Sequence, residues 1–167
     1  MLARLYPFAQ QYPAGVQDVE VDLSIHEGQL HLIYRVQADD GCIVWPSPGR
    51  AERQDGLWQH TCFEVFIAAG NGYREYNFAP SGAWAAYDFT SYREGMMPAA
   101  VSPPEINMVA GTALKAVIDV PESAARLAIS AVIELPDGTR SYWALHHGAD
   151  KPDFHRPDSF TLRLDSI

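Results

Sequence analysis

The chain has 167 residues, a formal net charge of −9 and 47% hydrophobic residues. This is ordinary globular composition at the size of one domain, which can bury about 70% of its unfolded surface without a disulfide or metal. No lysine- or arginine-rich run exists, so neither nucleic acid nor an anionic membrane is an expected partner, because both select a basic footprint.

Met1-Leu2-Ala3-Arg4-Leu5-Tyr6-Pro7 opens the chain without an apolar run long enough for a signal peptide. No later stretch reaches transmembrane length, and a cytoplasmic protein is expected. Val19 to Ile25 and Gln29 to Val36 alternate like strands and flank Glu27-Gly28, a hairpin turn. Cys42 and Cys62 are the only cysteines; outside any C-x-x-C pair they read as buried free thiols. His60 to Ala68 and Tyr73 to Ala79 flank Gly70-Asn71-Gly72, a second hairpin with strong turn chemistry. Pro80-Ser81-Gly82 turns the chain into a strand over Ala83 to Phe89. Ile106 to Val109 and Leu114 to Val120 follow, and then one turn of helix over Glu122 to Leu127. Leu127 to Leu135 and Ser141 to Leu145 flank Pro136-Asp137-Gly138-Thr139, and Phe160 to Leu164 is the last strand.

About ten strands with turns every eight to twelve residues predict an all-β fold. The expected architecture is an antiparallel two-sheet β-sandwich of immunoglobulin-like or jelly-roll appearance, one domain over residues 1–167. The proline-rich patches Pro46-Ser47-Pro48 and Pro98 to Pro104 are loops within it.

The strand with the most chemistry is His60-Thr61-Cys62-Phe63-Glu64-Val65-Phe66-Ile67. Alternate side chains face opposite ways, so Thr61, Phe63, Val65 and Ile67 form a core face and His60, Cys62, Glu64 and Phe66 the other. If Tyr76 and Phe78 of the next strand join the core, Glu75 and Asn77 fall beside Glu64. Two carboxylates, an amide and the Phe66 ring on one sheet face suit a sugar, whose hydroxyls need planar hydrogen-bonding groups and whose C–H face needs an aromatic platform. A solvated face, with Glu64 and Glu75 paired to Arg74 or Arg93, is the competing reading.

A second chemistry-rich segment is Lys151-Pro152-Asp153-Phe154-His155-Arg156-Pro157-Asp158-Ser159-Phe160. It places a carboxylate, an imidazole, a guanidinium and an aromatic ring between two prolines. Loop backbone with that many hydrogen-bonding groups points to closure over a ligand.

Taken in order, Asp55-Gly56-Leu57-Trp58, Cys62 to Ile67, Tyr73 to Gly82 and Pro152 to Pro157 resemble the DOMON-like domains that belong with family 9 carbohydrate-binding modules. The resemblance spans about residues 15 to 165, and the subgroup it points to is stand-alone bacterial proteins. It implies a β-sandwich that binds a ligand on one sheet face and its bordering loops; related domains bind sugars or haem. By position, Glu64 is similar to the ligand-face carboxylate of the family. Tyr76 and Asn77 precede the Pro-x-Gly turn, and His155 and Arg156 lie in the bordering loop. Trp58 and Trp84 are candidate platforms, each also readable as core or rim packing. Together with Glu75 and Arg93, these residues are the candidate ligand-binding set. Arg93 or Arg156 would add a charged donor that suits an acidic or N-acylated sugar.

Sharper chemistries have weaker support. His60 and Glu64 stand about 13 Å apart on a strand, too far for one zinc ion, and His146 and His147 point to opposite faces. No metal site and no cofactor are therefore assigned, although the resemblance leaves two options open. One is a structural calcium near Asp39-Asp40-Gly41 or Asp150 and Asp153. The other is haem between Met96, Met97 or Met108 and His146, His147 or His155. Glu64 and Glu75 could imitate a glycosidase pair, but no catalytic motif appears, and no catalytic residue is assigned. The expected function is non-catalytic binding of a small polar ligand, a sugar or sugar derivative. A haem-binding domain and a protein-docking module are the alternatives.

Overall fold

A computed structural model describes residues 1–167. Its strands are β1 (Leu2–Pro7), β2 (Val16–His26), β3 (Gln29–Ala38), β4 (Cys62–Ala69), β5 (Gly72–Phe78) and β6 (Trp84–Phe89). They continue as β7 (Met97–Pro98), β8 (Glu105–Val109), β9 (Ala113–Asp119), β10 (Ala124–Glu134), β11 (Arg140–Ala144) and β12 (Leu162–Arg163). The only helical pieces are three-residue 3₁₀ turns. All the strand pairs are antiparallel, and they form a sandwich of two sheets.

One sheet runs β1-β2-β3-β9-β8 and the other β7-β6-β5-β4-β10-β11, with β12 also on β10. β1 belongs to both. Leu2 to Leu5 pair with β2, whereas Tyr6 and Pro7 pair with β11. This single strand makes the two sheets one curled sheet, closed along one edge.

The alternation of each strand dictates the layers. Val19, Val21 and Leu23 of β2 and Leu30, Leu32 and Tyr34 of β3 meet Phe63, Val65 and Ile67 of β4 in the main core. Tyr76 and Phe78 of β5 and Leu127, Ile129, Ala131 and Ile133 of β10 complete it. Across this core the Tyr34 hydroxyl donates to the Glu64 carbonyl oxygen at 2.8 Å, which fixes the backbone under the carboxyl. The β2–β3 turn is as expected: Glu27 and Gly28 both have positive φ, 52° and 79°, the backbone that a tight two-residue hairpin needs.

Three segments differ from expectation. Residues from Ala124 onward are strand, not helix, because β10 pairs with β4 along nearly its whole length and that pairing outweighs local helix propensity. The last strand is reduced to Leu162–Arg163, and Phe160 packs instead into an aromatic cluster. β1 was not anticipated; it is the strand that joins the sheets. Cys42 and Cys62 are both free, with Cys62 buried and Cys42 half-buried. No helix is long and apolar enough to cross a membrane.

Candidate functional site

The outer face of the β4–β5–β6–β10–β11 sheet carries a second, smaller core, and in the middle of it lies the site. Strand register builds the site row by row. Ala144, Ser130, Glu64, Asn77 and Ala85 stand in one line across β11, β10, β4, β5 and β6. Ala128, Phe66, Glu75 and Tyr87 form the next line. Alanines at both ends of the first line and at one end of the second leave a hollow where larger side chains would fill the face. A cleft of about 330 Å³ results, within the size range of small-ligand pockets.

Its floor is Glu64 and Glu75, which are 2% and 6% exposed. Ser130 Oγ donates to Glu64 Oε2 at 2.9 Å, and Asn77 Nδ2 donates to Glu75 Oε1 at 2.7 Å. The other oxygen of each carboxyl has no protein donor; the nearest approach is His155 Nε2, 3.8 Å from Glu75 Oε2. Burial pushes Glu64 up to about 8, helped by the adjacent Glu75 and opposed by Ser130. Burial likewise pushes Glu75 up to about 7, against the Asn77 amide and the Arg93 charge.

The walls are aromatic and come from separate elements: Trp58 from the turn before β4, Tyr87 and Phe89 from β6, and Tyr142 from β11. Trp58 is 39% exposed and stands edge-on to Tyr87, with ring centroids 6.4 Å apart. The Tyr87 hydroxyl gives its hydrogen to Asp55. Burial, then that carboxylate, raises the phenol well above its ordinary range.

Two loops meet over one side of the cleft. Arg93 and Met96 come from the β6–β7 connection, and Pro152, Asp153, Phe154 and His155 from the proline-bounded segment. Asp153 ties them together. It accepts from Arg93 Nη2 at 2.9 Å, from the Tyr92 hydroxyl and from the His155 backbone N–H. Burial alone would raise the Asp153 carboxyl; Tyr92 and Arg93 outweigh it and hold it below the usual range. The segment is pinned by Phe154 and Phe160, both buried against the sheet.

His155 packs edge-on to Phe66 and Phe89, with centroids 5.1 Å away in each case. The Tyr73 hydroxyl accepts from the Arg93 backbone N–H at 3.1 Å. Its own hydrogen is therefore available to His155 Nδ1, 2.8 Å away. That assigns the Nε2–H tautomer and aims the ring N–H at Glu75. Burial, followed by the Arg93 charge, depresses the imidazole to about 4, so His155 is neutral near pH 7.

The structure thus brings together six of the eight expected residues: Trp58, Glu64, Glu75, Asn77, Arg93 and His155. Asn77 is fully buried and holds Glu75 rather than facing the cleft. Trp84 lies elsewhere. It faces the main core with Phe78, its partner on β5, and is capped by the Arg53 guanidinium 4.6 Å above its ring. Arg156 also stands off the cleft, with both arms on Asp158 at 3.0 Å. Ser130, Tyr87 and Tyr142 were missed. Ser130 is the lone polar residue in the run Leu127 to Ile133. Tyr87 alternates with Trp84 and Ala86, so the register argument that placed Glu75 places Tyr87 beside it.

No group of three or more His, Cys, Asp or Glu side chains is arranged for a metal ion. The Asp153 carboxylate is taken by protein donors, and Asp39 Oδ1 accepts from Gln17 Nε2 at 2.9 Å. Met96 and His155 do line the same cleft, but Tyr73 occupies one imidazole nitrogen and Glu75 faces the other. These residues do not fit a haem with His155 as an axial ligand.

No family model and no curated protein matches the chain. Among solved structures, a "putative carbohydrate-binding protein" from Bacteroides uniformis superposes with a TM-score of 0.62. The match covers 96% of this chain and 84% of that chain, at 15% sequence identity. At that identity the likeness shows a shared β-sandwich fold.

Proposed function

We infer that the chain is a non-catalytic binder of a small sugar or sugar derivative, held in the cleft above Glu64 and Glu75. The observation that carries this reading is the pair of buried carboxyls, each with one oxygen lacking a protein donor, at the bottom of an aromatic-walled hollow. Buried carboxyls are costly to a fold unless donors complete them, and a sugar supplies hydroxyl donors in a fixed array. Trp58, Tyr87 and Tyr142 offer aromatic surface for the C–H face of a ring. The fold shared with the Bacteroides protein agrees with this reading, and so does the resemblance to DOMON-like and family 9 carbohydrate-binding domains.

A thermal-shift screen against mono- and disaccharides, with hemin and calcium included, tests it. A ligand at ~100 times its dissociation constant adds roughly 2.7 kcal/mol, seen as several degrees in melting temperature. A shift with a sugar that disappears in Glu64→Gln supports the reading. A shift with hemin or calcium alone contradicts it. No shift with any compound favours a module that docks another protein.

A further inference from the structure

We propose that the cleft selects a sugar bearing a free primary amine, an unacetylated hexosamine, and seats its ammonium group between Glu64 and Glu75. The proposal rests on the sugar-binding reading and names the ligand class for that site.

The charge inventory of the cleft points this way. The guanidinium at its rim, Arg93, is spent on Asp153 at 2.9 Å. Arg156 is spent on Asp158 and does not reach the cleft. Arg140 lines the outer part of the cleft, where its one protein partner is the Gln59 carbonyl, 3.5 Å away, and it forms no ion pair with Glu64 or Glu75. His155 is neutral near pH 7 and contributes an N–H but no charge. Two acidic groups therefore lie on the floor with no cation committed to them. An acidic sugar would find no cation committed to the floor, contrary to the expectation that Arg93 or Arg156 would receive one.

Hydrogen-bond polarity agrees. Ser130 and Asn77 each donate to one carboxyl, so an ammonium that displaces the proton Glu64 holds near pH 7 meets one oxygen of Glu64 and one of Glu75 as acceptors. The two residues sit on neighbouring strands and are offset diagonally, since Glu64 pairs with Asn77 and Glu75 with Phe66. Diagonal neighbours have Cβ atoms about 7 Å apart or less, so one small group can reach both carboxyls. Tyr87, the partner of Glu75 on β6, has given its hydroxyl hydrogen to Asp55 and also presents an acceptor. A primary ammonium has three donors and no acceptor, the complement of this set. A hydroxyl brings an acceptor as well as a donor. An N-acetyl group brings bulk without charge. Trp58, Tyr87 and Phe89 add aromatic surface that attracts a cation.

Isothermal titration of the full chain at pH 7 with D-glucosamine, D-glucose, N-acetyl-D-glucosamine, D-glucuronate and 1,5-diaminopentane tests the proposal. D-Glucosamine is expected to bind at least ten-fold more tightly than D-glucose or its N-acetyl derivative, with no measurable binding of D-glucuronate. The double variant Glu64→Gln/Glu75→Gln is expected to erase the preference for the amine. If that variant does not melt cooperatively, Glu75→Gln alone makes the comparison. D-Glucose bound as tightly as D-glucosamine overturns the ammonium seat and leaves sugar binding standing. Failure of every sugar overturns both. The linear diamine bound as tightly as D-glucosamine overturns recognition of a sugar ring.

Discussion

Glu64 and Glu75 occupy diagonal positions on β4 and β5, and each is held by one neutral donor from the strand face, Ser130 for Glu64 and Asn77 for Glu75. Those donors fix the carboxyls in place but do not neutralise them. Two buried acids on a sheet face destabilise a fold, a cost characteristic of functional sites, and an aromatic-walled cleft lies above them.

Stability should record that cost as a pH dependence. Both carboxyls titrate higher in the folded chain than in the unfolded chain, Glu64 near 8 and Glu75 near 7. Between the ordinary carboxylate range and these values the folded state holds protons that the unfolded state has released. Stability is therefore full below about pH 4.5 for this pair and falls as pH rises toward 8, by at most about 1.4 kcal/mol per pH unit for each group. Urea denaturation of Glu64→Gln/Glu75→Gln across pH 5 to 8 should show a flatter profile and a more stable protein at pH 8. An unchanged profile would mean that other groups carry the dependence.

His155 should titrate far outside the ordinary range. Its folded value near 4 lies below that of a free imidazole, so its contribution to stability is present above about pH 6.5 and is lost as pH falls toward 4. Proton–nitrogen NMR of the imidazole should show the neutral Nε2–H tautomer throughout pH 5.5 to 8. A titration midpoint near 6.5 would place the ring in solvent rather than between Phe66 and Phe89.

Asp153 is the clasp between two loops. Asp153→Ala removes the partner of Arg93, Tyr92 and the His155 backbone N–H together. The expected loss is about 1.5–3 kcal/mol, the range for hydrogen bonds to a charged group. Hydrogen exchange should accelerate at residues 91–96 and 150–156 and leave the β2–β3 hairpin unchanged. Protection that stays the same in both loops would show that the aromatic anchors alone hold them.

The two tryptophans should separate packing from binding. Trp84→Ala empties a core position and should cost about 3–5 kcal/mol while leaving sugar affinity unchanged in the folded fraction. Trp58→Ala should cost under about 1 kcal/mol of stability and weaken sugar binding by about 0.5–1.5 kcal/mol. Equal effects on affinity would remove Trp58 from the proposed platform.

Much of this was legible in strand alternation. Period-two reasoning placed Glu64, Glu75 and Asn77 on one face, and the register confirms it, because a buried opposite face leaves no freedom to slip. The same reasoning carried one strand further would have put Trp84 in the core and Tyr87 in the cleft. Residue type alone leaves Trp84 open as either platform or packing, and strand parity decides for packing. Arg156 was misread for another reason: its nearest anion, Asp158, is two residues away, and a local pair in a loop leaves no pattern in the spacing. The role of β1 depends on Tyr6 pairing with Ala144, a contact between the two ends of the chain that no local signal encodes.

The most direct test of the central claim is a proton–nitrogen NMR titration of the wild-type chain with D-glucosamine and, separately, D-glucose. Sugar binding in the cleft predicts saturable shifts at the Trp58 indole N–H, the Asn77 side-chain amide, the Ser130 amide and the amides of residues 153–155. Shifts confined to another surface, such as the hollow between Phe8 and His147, or no saturable shift with either sugar, would contradict it.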